Sequence, residues 1–147
     1  MENDSKPWTI ETLKTAIEAH GSLLPGEFSC QISQGAGSVL EVGVEAAGDV
    51  QLYVAIQEAQ IITTTVLWPR AAQDDPAAFE AMMLRSHKIH LPLCALSIDT
   101  INGEEYYELF GSMSAQSKFE SVIAEFRAIA TSVIDLAQDL GPRAQAN

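Results

Sequence analysis

Lysine and arginine are scarce in this chain, and neither occurs between Lys14 and Arg70. Eight Lys and Arg stand against twenty Asp and Glu, a formal charge of −12. A field of that sign repels the phosphates of nucleic acid and anionic lipid headgroups, which argues against direct binding to either. It suits a basic or polar protein partner, or serves solubility alone. Cysteine is nearly absent: Cys30 and Cys94 lie far apart and form no CxxC pair for redox or metal work. Both read as buried thiols in a reducing compartment. The start, Met1-Glu2-Asn3-Asp4, lacks the positive region and apolar run of a signal peptide. No apolar run approaches the ~18 residues that a membrane span requires. A cytoplasmic protein is expected.

What is present is apolar patterning. At 147 residues and 47% hydrophobic, the chain can bury a core, since chains of this size hide roughly 70% of their unfolded surface. One domain is expected over residues 8–140, with flexible tails at 1–7 and 141–147. Phe119, Val122, Phe126, Ile129, Val133, Leu136 and Leu140 alternate at spacings of three and four, one stripe of a helix of about 25 residues. Ile123, Ala130 and Ala137 widen that stripe beyond a two-stranded coiled-coil seam. Ser114 is the expected cap of this helix, and Gly141-Pro142 its end.

Upstream, Thr9 reads as an N-cap for a helix carrying Ile10, Leu13 and Ile17 and ending at Gly21, with Trp8 spaced to staple on Leu13. Three alternating runs follow: Phe28/Cys30/Ile32, Leu40/Val42/Val44 and Leu52/Val54/Ile56. Gly35-Ala36-Gly37 and Gly48-Asp49 join them, which predicts an antiparallel meander with one wet face carrying Glu41, Glu45 and Gln51. The run Gln60 to Trp68 sets Ile61 and Leu67 against Ile62, Val66 and Trp68, so it is apolar on both sides and belongs in the middle of a sheet or under cover on both faces. Asp74-Asp75-Pro76 starts a helix whose face is Phe79, Met82, Met83 and Ser86, and Pro92 closes it. Asn102-Gly103 predicts a two-residue hairpin that sets Ile98 opposite Tyr107 and Leu96 opposite Leu109.

Chemistry is thinly represented. His87, His90 and Cys94 fall close together, but Pro92 intervenes and a zinc site needs about four converging ligands. The histidines are better read as covering a helix end. Glu104, Glu105 and Glu108 sit with Asp74 and Asp75 in turns and on a wet face, where carboxylates stay solvated. Gly35-Ala36-Gly37-Ser38 joins two strands and does not open a helix, so it is no phosphate loop. With no nucleophile in a recognisable setting, no enzyme, cofactor or metal is expected. Tyr106 and Phe110 point away from Tyr107 and Leu109, so they either pack under a helix or meet a partner.

Trp8-Thr9-Ile10, Leu91-Pro92-Leu93 and the run Tyr106-Tyr107-Glu108-Leu109-Phe110-Gly111-Ser112-Met113-Ser114 resemble the bacterial YjfI-like family, over almost all of residues 8–140. The resemblance implies association with PspA-like proteins of the envelope stress system, and it supplies no catalytic residue. The element order and acidity are also similar to type III secretion chaperones, small proteins that dimerise and hold an extended partner chain. The expectation is therefore an α+β fold, an antiparallel sheet of about five or six strands with helices packed on it, in the order α-ββββ-α-ββ-α. It would act as a non-enzymatic protein-binding adaptor or chaperone-like protein, a homodimer being one assembly open to it. Tyr106, Phe110, Val133 and Leu140 are the candidate partner contacts. The rival reading is a small-molecule or metal-sensing domain using His87 and His90.

Overall fold

The computed structural model describes residues 6–21, 23–35, 37–48 and 50–142. Its helices are α1 (Ile10–Gly21), α2 (Pro76–His90) and α3 (Phe119–Asp139). Its strands are β1 (Phe28–Gln34), β2 (Ser38–Val44), β3 (Val50–Gln57), β4 (Gln60–Pro69), β5 (Ala95–Ile101) and β6 (Glu104–Ser114). The expected order α-ββββ-α-ββ-α is the observed one, and the six strands form one antiparallel sheet in the spatial order β1-β2-β3-β4-β6-β5. Short turns make the first four strands a meander. Ala36 and Asp49, which belong to two of those turns, lie outside the described residues, as do residues 1–5 and 143–147 of the expected tails. The chain then crosses by α2 to the far edge, and β6 returns between β4 and β5. That insertion makes β4 interior, which accounts for its apolar residues on both sides.

Local chemistry sets the boundaries. Thr9 Oγ1 accepts from the Thr12 amide at 3.1 Å while Thr12 Oγ1 accepts from the Thr9 amide at 2.9 Å, a reciprocal cap on α1. Asp75 Oδ1 accepts from the Ala78 amide at 3.3 Å, and Pro76 opens α2. Asn102 and Gly103 both have positive φ, 51° and 80°, and the hairpin register sets Ile98 opposite Tyr107 and Leu96 opposite Leu109.

Two local expectations are corrected, at Ser114 and at Trp68. Ser114 does not cap α3, because pairing with Gln60 extends β6 to that residue; the helix starts at Phe119 behind Lys118, whose side chain makes no cap bond. The helix is accordingly 21 residues long. Trp8, packed against the core cluster that includes Leu13, also donates from its indole to the Ser117 carbonyl at 2.7 Å, with its ring 6.0 Å from that of Phe119. A register shift between Val66 and Pro69 brings Trp68 to the helix side, where its ring lies 6.5 Å from those of Phe79 and Tyr107.

The core lies between the helices and one face of the sheet. Leu13 and Ile17 of α1 and Val122, Phe126 and Ile129 of α3 meet Leu40, Val42, Leu52, Val54, Ile61 and Leu109, all buried. Two polar residues, Glu125 and Ser132, share that buried face of α3. Glu125 fills the place where Gly111 has no side chain: a Cβ there would fall inside the carboxyl group. The adjacent Thr63 hydroxyl is buried and makes no hydrogen bond of good geometry. Burial therefore pushes the Glu125 carboxyl up to about 7.

An acid raised in this way keeps its proton in the native state while the unfolded chain loses it, so stability falls as pH rises from about 4.5 to 7 and levels off above that window. Glu125→Gln is expected to remove this slope and to stabilise the protein by about 2–3 kcal/mol at pH 8 with little change at pH 5. Urea unfolding of the two proteins at both pH values checks it, and parallel profiles would refute the assignment.

Candidate functional site on the open face of the sheet

All three helices pack on one side of the sheet, and no helix among the described residues covers the other. Strand alternation places Tyr53, Ile62, Thr64, Val66, Tyr106, Glu108 and Phe110 on that outer face. Tyr53, Thr64, Phe110 and Ala95 stand in register across four strands. Tyr53 and Val66 are 39% and 41% exposed on this face. Between them the sheet opens. The β3–β4 ladder stops at the Tyr53–Thr64 pair, and beyond it a cleft of about 280 Å³ is lined by Val50, Gln51, Tyr53, Thr65, Val66 and Val133. The Thr65 hydroxyl donates to the Gln51 carbonyl at 2.8 Å across this gap, holding its width.

The four candidate contacts are thus only partly brought together. Tyr106 and Phe110 share the outer face, with Tyr106 donating to Glu104 at 3.3 Å. Val133 belongs to α3 but reaches the same region from beneath, through the cleft. Leu140 stands apart, half-buried at the end of α3, where its carbonyl accepts from Gln73 Nε2 at 3.0 Å. Gln73 in turn accepts from Trp68 Nε1 at 2.9 Å, so it ties the end of α3 to the loop before α2.

The expected wet face needs one amendment. Glu41 bonds Gln31 Nε2 at 2.7 Å at the surface, whereas Glu108 is half-buried and accepts from the Ser97 hydroxyl at 3.0 Å. Burial, with Asp99 beside it, holds the Glu108 carboxyl above the usual carboxylate range despite that bond.

A second apolar surface borders this face. Leu84, Ile89, Leu93, Ile98 and Ile101 are exposed around α2 and the edge strand β5, and a groove of about 240 Å³ there is lined by Glu80, Leu84, Leu96, Ser97, Ile98 and Tyr107. Its floor is anchored by a polar cluster that composition did not reveal. Buried Tyr107 donates to Glu80 at 2.6 Å, and Arg70 donates to the same carboxylate from Nε at 2.6 Å and Nη2 at 3.3 Å. The Arg70 guanidinium holds Glu80 below its ordinary range, while burial and that carboxylate push the Tyr107 phenol up. A similar bond joins α3 to the loop after α1: Arg127 and His20 flank Glu27 and hold it down at about 2.

His87 Nε2 accepts from the Leu96 amide at 3.1 Å and so serves the start of β5. Cys94 contacts the Ser132 hydroxyl at 3.7 Å, and burial pushes its thiol up. Among the described residues no three His, Cys, Asp or Glu side chains converge on a metal-sized space, and no helix is long and apolar enough to cross a membrane.

The element order, the six-stranded sheet and the one-sided helices define a fold like that of type III secretion chaperones. A chain of the ExsC-ExsE complex crystal structure shares it, with a TM-score of 0.64 at 12% identity, covering 95% of this chain and 100% of that one. The chain belongs to the bacterial family described as "Uncharacterized protein conserved in bacteria (DUF2170)", whose model matches residues 7–142. The protein YjfI of Escherichia coli strain K12 and its counterpart in strain O157:H7 are each 31% identical over 91 residues, 62% of this chain and 68% of theirs.

Tyr107→Phe deletes one bond to a charged acceptor while Arg70 still neutralises Glu80. A loss of about 1–2 kcal/mol is expected in chemical denaturation; an unchanged midpoint would show that the phenol does not help hold α2.

Proposed function

We propose that this chain is a non-enzymatic, cytoplasmic adaptor of chaperone-like type that holds a segment of another protein against the open face of its sheet. The observation that carries this reading is the apolar floor of Tyr53, Val66, Tyr106 and Phe110, interrupted by a cleft with Val133 at its base. An exposed aromatic and aliphatic floor beside a cleft of side-chain size is the form of a protein-binding site. Leu140 contributes as a peripheral contact from the end of α3. The family resemblance makes a PspA-like envelope stress protein the first partner to test.

The groove between α2 and β5 takes a second copy in this reading. Arg85 and Lys88 lie exposed on α2 beside Leu84 and Ile89, while Asp99, Glu104 and Glu105 lie on the neighbouring hairpin. A two-fold contact would set the basic helix of each copy against the acidic hairpin of the other, around an apolar centre.

Both parts are open to measurement. Phe110→Asp is expected to weaken binding of a purified PspA-like protein at least about tenfold with an unchanged melting temperature; undiminished affinity would remove the outer face from consideration. Leu84→Glu combined with Ile98→Glu is expected to convert a dimer to a monomer in light scattering. A wild-type protein that is already monomeric at high concentration would exclude the two-fold contact.

A further inference from the structure

Glu41 and Glu108 occupy positions on the outer face that their distance in sequence conceals. Glu41 is the direct neighbour of Tyr53 across β2 and β3, and Glu108 is the direct neighbour of Val66 across β6 and β4. Tyr53 and Val66 are the two outer walls of the cleft. The apolar slot is therefore bracketed by one carboxylate on each side. Three strand spacings of about 4.8 Å and a two-residue offset of about 6.7 Å along the strands put the two acids roughly 16 Å from one another, with the slot between them.

No cation on the sheet balances them. None of the six strands contains Lys, Arg or His. The nearest basic side chain along the chain, Arg70, is engaged by Glu80 and lies 3.8 Å from Glu105. Asp99 adds a further negative charge on the same face beside Glu108.

We infer that the segment held on the outer face is extended and basic, with an aliphatic side chain in the cleft and Lys or Arg two positions away on each side. In an extended chain, side chains at i−2, i and i+2 share one face at intervals of about 6.7 Å. With the middle one in the slot, the outer two start about 7 Å to either side on a line diagonal to the strands, within the reach of a Lys or Arg side chain to Glu41 and Glu108, which stand about 8 Å from the midpoint. The slot suits an aliphatic group because Val50, Val66, Val133 and the Tyr53 ring line it beside Gln51 and Thr65, and the Thr65 hydroxyl is already bonded to the Gln51 carbonyl. The carboxylates select for flanking cations and repel an acidic segment. A cation beside Glu108 would also relieve the repulsion that Asp99 imposes on it. This inference rests on the outer face being the docking surface.

The test uses short capped peptides with one leucine flanked two positions away on each side by lysine, by glutamine or by glutamate, titrated into the full-length protein and followed by amide NMR shifts. The lysine peptide is expected to move the resonances of Tyr53 and Val66 and to bind at least about tenfold more tightly than the glutamate peptide at low salt, near about 50 mM. Raising salt tenfold should shrink that preference, and Glu41→Gln with Glu108→Gln should abolish it while the leucine still binds. Equal binding of the lysine and glutamine peptides at Tyr53 and Val66 would overturn the basic partner and leave the docking face standing. Shifts confined to other surfaces, or none with any peptide, would overturn both. A lysine preference that survives the double substitution would assign it to the general charge of the protein and overturn the bracketed slot.

Discussion

The seam between α3 and the inner face of the sheet is the constraint on which the rest depends. Phe126 and Ile129 are fully buried in it, and Val122 and Leu136 nearly so. Removing an aromatic or branched side chain from such a packed site costs several kcal/mol, so the seam holds α3 to a fixed line across the middle strands. Beside it, α1 covers the first strands through Leu13 and Ile17, and α2 lies toward β5 at the edge. Because α1 and α3 saturate one face, every outward residue of β3, β4 and β6 is left to solvent or to a partner. The open face follows from one-sided packing and is not an isolated surface detail.

Two acids within the helix layer show how the seam tolerates charge. Glu80 lies against a bidentate guanidinium and a phenol, and its carboxyl is held down. Glu125 has no such partner, and burial drives it up. Each shift has a packing cause, and each acid sits where a helix docks on the sheet. Glu80 lines the groove beside α2 together with Ser97, and its carboxylate is taken up by Arg70 and Tyr107, whereas Glu125 lies beneath α3 against Gly111. In both acids the shift follows from how a helix docks on the sheet.

What could be read in advance divides by range. Asn102-Gly103, Thr9 and Asp75-Pro76 are local signals, decided by the φ preferences and hydrogen bonds of a few consecutive residues, and the structure agrees with them. Ser114 and Trp68 misled because their positions depend on a distant partner: β4 pairs with β6 up to Gln60 opposite Ser114, and a bulge after Val66 turns Trp68 over. Tyr106 and Phe110 were legible as outward residues, but whether a helix covers them is settled by where three separate helices land. Val133 has a role at the outer face only because β3 and β4 part beyond Tyr53. Glu125 left a faint trace, three residues after Val122 and four before Ile129 on the apolar stripe. Gly111 within a strand was the matching sign of close approach. Reading the two together requires knowing that β6 lies under α3.

A half-open sheet with an exposed edge strand is ordinarily an invitation to indiscriminate association, since bare apolar faces and unpaired strand edges bind their own kind. The charge pattern answers that hazard. With no cation in any strand and Glu41, Asp99 and Glu108 on the outer face, two such faces brought together would place carboxylate against carboxylate. Like-charge contact of that kind is costly when water is excluded, so the face disfavours stacking on itself while the apolar floor stays available. The same scarcity of Lys and Arg that argues against nucleic-acid binding acts a second time, at the scale of one sheet face, by leaving its carboxylates without a cation in any strand. Arg85 and Lys88 lie exposed on α2, outside the sheet, beside Leu84 and Ile89. The outer face thus carries carboxylates with no cation among its strands, whereas the surface around α2 has both signs nearby, and Asp99 stands where the two adjoin.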